Sequence, residues 1–377
     1  MPKRNIAVVV GNGLSLAYNP ALSVPEVCQE VLKRVHDDAA DNADAIAVAM
    51  QKAAQATGRG DPSQDFEVLV GAFVPEGSLL AEIRRLSTLV HPDDDELAAA
   101  FERVERFSTD VRDTGVSYVL EVIAERSRAD AFRREAHDDF VASVVDLTDG
   151  RVTFANLNYD TLLLAALTDR FQGDLCDMAA GYATATVTLE DGSVHTGHAL
   201  RTTDNLPAER RVRLLGLHGS LTWWRRPDGT VFKFPADLAR KPELWRGIRD
   251  GGEEYRPQVV LANQYSKSAQ VGHYPFALSY ELLRRALDQS RDWLLVGYSF
   301  RDQCLNSEIQ EAYNRRADRP NVLVITLGPE LTREEIERAF GWGVSDGDSA
   351  DWLRVCRDGV ERSTGSAEWN EWSRVFA

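Results

Sequence analysis

Five consecutive apolar residues, Ile6-Ala7-Val8-Val9-Val10, run directly into Gly11-Asn12-Gly13. A strand that is apolar at every position has no face to offer water, so it must be covered on both sides. That predicts the interior of a parallel sheet flanked by helices, not a half-solvated antiparallel one. The glycines predict a tight turn into a helix, the opening unit of an α/β fold whose ligands sit beyond the strand carboxyl ends. A G-x-G turn suits either a phosphate cradle at a helix start or a bare chain reversal. Leu16 stands where the dinucleotide fingerprint has its third glycine, so these residues alone leave both readings open.

The same pattern returns later in the chain. Strands are predicted at Arg151 to Leu157, Val212 to Leu217, Val259 to Ala262, Trp293 to Val296 and Val322 to Leu327. Helices are predicted at Phe276 to Leu287, at Leu305 to Ala312, and from a Thr332 cap through Phe340. Asp191-Gly192 after Ala183 to Leu189, and Asp228-Gly229 between Trp223-Trp224 and Thr230 to Phe234, predict hairpins. Between Val24 and Leu147 the spacing is helical instead, over Glu26 to Val35, Ala40 to Ala56, Asp94 to Phe107, Val116 to Arg126 and Ala131 to Val145. Breaker-rich joins separate these stretches, as at Thr57 to Pro62 and His91-Pro92.

The expected fold is therefore α/β: a Rossmann-like, mostly parallel sheet flanked by helices, with a mainly helical inserted subdomain. Residues 1–23 and 148–345 would form the sheet domain, 24–147 the insertion, and 346–377 a tail of unassigned packing. Trp352, Trp369 and Trp372 in that tail read as core packing or as a docking surface.

The formal net charge of −16 repels phosphate backbones and argues against direct nucleic-acid binding, while leaving room for a local positive pocket. Cys28, Cys176, Cys304 and Cys356 are too scattered for a paired-cysteine zinc knuckle, and a reduced, cytoplasmic setting is expected. The first apolar run is too short for a signal-peptide core, and no apolar run approaches a membrane span.

Three polar clusters fall at predicted strand ends. In Asn158-Tyr159-Asp160, Asp160 is placed to cap the next helix, and the Asn158 amide could hold water or a ribose hydroxyl. In His218-Gly219-Ser220, the imidazole suits proton transfer or hydroxyl activation, though a lone histidine is also often structural. In Gly297-Tyr298-Ser299-Phe300-Arg301-Asp302, small residues admit a ligand or simply a tight turn.

Taken together with Gly11 to Ser15, these motifs resemble the sirtuin-like family, in its bacterial NAD⁺-hydrolysing antiphage-defence branch. Gly11 to Ser15 is similar to the family's first glycine motif, Asn158-Tyr159-Asp160 to its asparagine–aspartate motif, and His218-Gly219 to its catalytic histidine. Gly297 to Asp302 resembles the glycine–tyrosine–serine–phenylalanine run of that branch, and Gln258 to Ala262 with Lys267 its strand and lysine-bearing loop.

The chain also departs from the family. It has no C-x-x-C, so no zinc module and no metal are expected. Leu16-Ala17-Tyr18-Asn19-Pro20 lacks the acidic–aromatic–arginine loop, so the nicotinamide pocket must be built differently. Leu157 replaces a usually polar residue, and Thr326 falls where an adenosine-contacting asparagine is common.

The resemblance implies an NAD⁺ glycohydrolase that releases nicotinamide and ADP-ribose, with NAD⁺ as substrate. It implies His218, Asn158 and Asp160 as catalytic, and Gly11, Asn12, Gly13, Ser15, Gly297, Tyr298, Ser299, Asp302 and Thr326 as NAD-binding. It further implies homo-oligomers and a companion ATPase or other defence protein. A sensor that binds NAD⁺ or ADP-ribose without cleaving it is the alternative, and the missing zinc module disfavours deacylation.

Overall fold

The computed structural model describes residues 3–37, 52, 66, 83–87, 89–91, 94–128, 131–189, 192–261 and 264–376. The chain opens with β1 (Ile6–Val10), α1 (Asn12–Tyr18), α2 (Val24–Asp37), α3 (Asp95–Arg126) and α4 (Ala131–Asp146). Next come β2 (Val152–Asn156), α5 (Leu162–Phe171), β3 (Leu175–Cys176), β4 (Ala179–Thr188), β5 (Val194–Leu200) and β6 (Val212–Gly216). They are followed by β7 (Gly219–Arg225), β8 (Val231–Lys233), α6 (Pro242–Arg249), β9 (Arg256–Val259), α7 (Gln264–Val271) and α8 (Phe276–Gln289). The last are β10 (Asp292–Val296), α9 (Gln303–Arg315), β11 (Asn321–Ile325), α10 (Arg333–Ala339), β12 (Leu353–Cys356), α11 (Val360–Ser363) and α12 (Ala367–Ser373).

Seven strands form one sheet in the order β12-β11-β10-β1-β2-β6-β3, and every pairing in it is parallel. Alternate residues of the central strands feed two cores. Ile6, Val8, Val10, Phe154 and Val296 pack with α4, α5 and the tail tryptophans Trp369 and Trp372. Ala7, Val9, Ala155, Trp293 and Leu295 pack with α8 and α9. The uninterrupted apolar runs follow from this two-sided cover, and the fold is Rossmann-like α/β.

Both predicted hairpins form, and they join β9 in a second, five-stranded sheet of order β4-β5-β8-β7-β9. One core unites that sheet with the helical block, packing Val27, Val31, Val119 and Leu120 with Trp224, Phe234 and Trp245.

Three expectations shift. The helices predicted at Asp94 to Phe107 and Val116 to Arg126 are one helix, the 32-residue α3, which runs through Gly115. The short strand expected at Val259 to Ala262 lies earlier, as β9, with Ala262 outside the described residues. The tail supplies the edge strand β12 and two short helices, and all three of its tryptophans are buried. The helix expected over residues 40–56 falls outside the described residues except at Lys52, and so does the 57–62 join. Among the described residues, no helix is long and apolar enough to cross a membrane.

Candidate functional site

β1 pairs with β2 on one side and with β10 on the other, so the strand order reverses between β1 and β10. In an open parallel sheet this switch point leaves a crevice beyond the carboxyl ends. Gly11, Gly13 and Gly297 meet there. The Gly11 N–H donates to Val296 O at 2.9 Å and the Gly13 N–H to Gly297 O at 2.9 Å. A Cβ on Gly13 would lie 2.5 Å from the Gly297 Cα, and one on Gly11 would lie 2.6 Å from the Gly297 oxygen. Gly297 itself has φ +60, a conformation that costs glycine little. Close backbone approach thus accounts for all three glycines.

The first polar cluster joins the ends of β1 and β2. The Ser15 hydroxyl donates to Asp160 Oδ2 at 2.5 Å, while Asn158 Nδ2 donates to Ser15 Oγ at 2.9 Å and to Gly11 O at 3.0 Å. Asp160 Oδ1 accepts the Leu162 N–H at 3.0 Å, so its side chain meets the first N–H of α5 from the residue before the N-cap, Thr161, rather than from the cap position itself. All three side chains are buried. Burial pushes the Asp160 carboxyl up, against the opposing pull of Ser15, the Leu162 N–H and His137.

The second cluster is charged. His218 links β6 to β7, and Gly219 has φ +88 with its Cα turned against Gln258 O, where a side chain would collide. His218 Nε2 lies 3.0 Å from Asp302 Oδ2, and Lys267 Nζ lies 3.2 Å from the same oxygen. All three side chains are less than a tenth exposed. The His218–Asp302 contact is one of proximity and charge, because Nε2 has no aligned hydrogen-bond partner.

Asp302 Oδ1 caps α9 by accepting the Leu305 N–H at 2.9 Å. Burial pushes its carboxyl up, but His218, Lys267 and the Leu305 N–H outweigh that and hold it well below the usual carboxylate range. Tyr298 anchors the loop: its hydroxyl lies 2.7 Å from Asn306 Oδ1 and 3.0 Å from the Asp302 carbonyl. Phe300 holds φ +57 within it, a strained setting for a side-chain-bearing residue.

β6 and β10 are three strand steps apart, about 14 Å at ordinary spacing. The His218–Asp302 contact therefore spans the ends of β1 and β2 and closes the crevice over the first cluster.

The remaining expected residues are less central. Asn12 donates its amide to Leu22 O, Ser299 is exposed, and Thr326 lies at the end of β11 with its backbone bonded to Cys356 and Gly359. Two residues gain importance. Lys267, known from sequence only as part of a loop, is a buried counter-ion to Asp302. Tyr280, which no sequence signal marks, has a buried hydroxyl without a hydrogen-bond partner among the described residues and within electrostatic reach of Asp302. Among the described residues, no group of three or more metal-type ligands converges.

The family profile described as SIR2-like domain matches residues 152–344, just over half of the chain. The match takes in Asn158, Asp160, His218, Lys267 and Gly297 to Asp302, and leaves Gly11 to Ser15 outside it. No curated protein matches the chain.

Proposed function

The chain belongs to the SIR2-like domain family, whose members are in general NAD-dependent enzymes, and on that footing we propose that it hydrolyses NAD⁺. The observation that carries the reading is His218, a buried imidazole at the carboxyl edge with Nε2 3.0 Å from an ionised Asp302. A buried polar atom without a partner costs about 1–3 kcal/mol. Tyr280 Oη, which has no hydrogen-bond partner among the described residues, carries that cost at the same edge, as expected of a site completed by a ligand.

In this reading NAD⁺ and water give nicotinamide, ADP-ribose and a proton. The bond from the ribose anomeric carbon to nicotinamide breaks with its electron pair on the nicotinamide nitrogen. Nicotinamide leaves neutral, so no strong general acid is required. Water adds to the cationic carbon and loses its proton to His218, and the Asp302 carboxylate stabilises the resulting imidazolium. The Asn158 amide, held by Gly11 O and Ser15 Oγ, orients the water or a ribose hydroxyl. Substrate access must part His218 from Asp302 or shift the loop carrying Asp302. We further propose, from the likeness of its motifs to the antiphage-defence branch, that the chain acts as an oligomeric toxic effector with an ATPase or other defence protein as partner.

The test is nicotinamide release from NAD⁺ by the purified chain, alone and with candidate partners. His218→Ala should lower turnover by about 10²–10⁴-fold while unfolding as cooperatively as the parent. Near-normal turnover in that variant overturns the reading. Binding of NAD⁺ by the parent chain without release under any of these conditions replaces hydrolysis with a sensing role.

A further inference from the structure

The opposite, amino-terminal edge of the parallel sheet holds a cavity of about 210 Å³. Asn5 and Ser290 mark it as the start of β1 and β10, and Arg151, Thr153 and Arg213 line it from β2 and β6. Thr153 and Arg213 are register partners in adjacent parallel strands, so their side chains leave the same face. Arg151, two residues before Thr153, shares that face. Leu282 and Ala286 of α8 provide an apolar wall across it.

The charges in this cavity do not balance. Arg285 also lines it, but its guanidinium is taken up by Asp204 and Glu281. Arg151 spends one N–H on the neutral Gln289 amide at 3.1 Å. Arg213 has its Nε buried with no hydrogen-bond partner among the described residues. The nearby carboxylates Asp292 and Asp174 are held by Arg4 and Arg211. Burial and the Arg151 charge both work against the Arg213 cation, which keeps the cost of two uncompensated guanidiniums in one half-buried space. In a chain of net charge −16, a cavity lined by Arg151, Arg213 and Arg285 against the single carboxylate Asp204 runs against the overall field.

We propose that the cavity framed by Arg151, Thr153 and Arg213 at the amino-terminal sheet edge is a binding site for a phosphate group. Two guanidinium groups and a hydroxyl from one sheet face line the same space, a donor set that suits tetrahedral oxyanions. At about 210 Å³ the space falls below ordinary pockets for drug-sized ligands, so a small phosphorylated species fits its scale and a dinucleotide does not. Asp204, which also lines the cavity, disfavours a ligand with negative charge beyond the phosphate itself.

Calorimetric titration of the full chain with inorganic phosphate and with ribose 5-phosphate, in chloride-matched buffer, tests this. Both should bind. Tighter binding of ribose 5-phosphate assigns the site to a phosphorylated metabolite, and equal binding assigns it to free phosphate. Arg213→Gln and, separately, Arg151→Gln should each weaken binding about tenfold or more, whereas His218→Ala should leave it unchanged. Arg213→Lys keeps the charge at this strand position and should bind with intermediate affinity, which covers the case in which Arg213→Gln fails to fold. No heat of binding, or phosphate affinity unaltered in both arginine variants, overturns the proposal.

Discussion

Two polar clusters share the carboxyl edge of one sheet, and they meet burial in opposite ways. Ser15, Asn158 and Asp160 close the ends of β1 and β2 with short hydrogen bonds around a carboxyl that burial drives toward its protonated form. His218, Asp302 and Lys267 arch over them around an ionised carboxylate, and Asp302 is held below the usual carboxylate range because His218 and Lys267 both face one of its oxygens. The two aspartates lie at similar depth, so burial alone does not set their character. The difference comes from what each side chain faces: a hydroxyl and a backbone N–H in one case, an ammonium and an imidazole in the other. Pairs of carboxyls pushed apart in this way are a recurrent mark of sites that divide acid–base roles.

The charged cluster should break hardest. Asp302→Asn removes the carboxylate that both Lys267 and His218 face at close range, and should lower unfolding free energy by about 3–5 kcal/mol in denaturant titrations. Lys267→Met leaves the Asp302 charge with only His218 and the Leu305 N–H facing it and should cost somewhat less, about 3 kcal/mol. The double variant removes both charges and should recover part of the loss. Strictly additive losses would mean that Lys267 and Asp302 do not depend on one another.

The neutral cluster should give a smaller effect. Ser15→Ala removes a donor to Asp160 and an acceptor for Asn158, leaving two buried groups each short of one bond. The expected loss is about 2 kcal/mol, read from the same titrations. A loss as large as that of Asp302→Asn would erase the distinction between the clusters.

The parts of this architecture that were legible in sequence are local. The run from Ile6 to Val10 announces a doubly covered strand, and the strand-end positions of Asn158, His218 and Asp302 follow from where apolar runs stop. Pairings between distant segments leave no such trace. Nothing in the spacing joins Lys267 to Asp302, or Ser15 to an acid 145 positions later. A glycine is visible in sequence, but the neighbour it admits is not: Gly11 and Gly13 read as either an anion turn or a bare chain reversal, and their contact with Gly297 emerges only in three dimensions. In α3, Gly115 and its polar surroundings interrupt the helical pattern. Packing of Val119, Leu120 and Ile123 in the shared core helps hold the helix continuous, as tertiary contact commonly overrides propensity. β12 was hidden because Leu353-Arg354-Val355-Cys356 is short and carries a charge, and it is recognisable chiefly by its pairing with β11.

The finest test of the comparison lies in pH. The folded chain holds the Asp160 proton more tightly than the unfolded chain, whose carboxyl titrates near 3.9. The native state should therefore gain stability from this group as pH falls from neutrality through the raised folded value, and the burial penalty should be complete above it. Asp302 has the opposite sign: its contribution is present above about 3.9 and is lost as pH falls toward its depressed folded value. Acidification should thus relieve Asp160 before it weakens Asp302. Asp160→Asn keeps an oxygen to accept the Ser15 hydroxyl or the Leu162 N–H and carries no charge. Its stability at pH 7 should lie within about 1 kcal/mol of the parent, on the scale of one net hydrogen bond. The variant should also lack the parent's gain on mild acidification, measured as unfolding midpoints between neutral and pH 4. An identical pH profile in parent and variant would show that burial does not govern Asp160, and the two clusters would then differ in geometry alone.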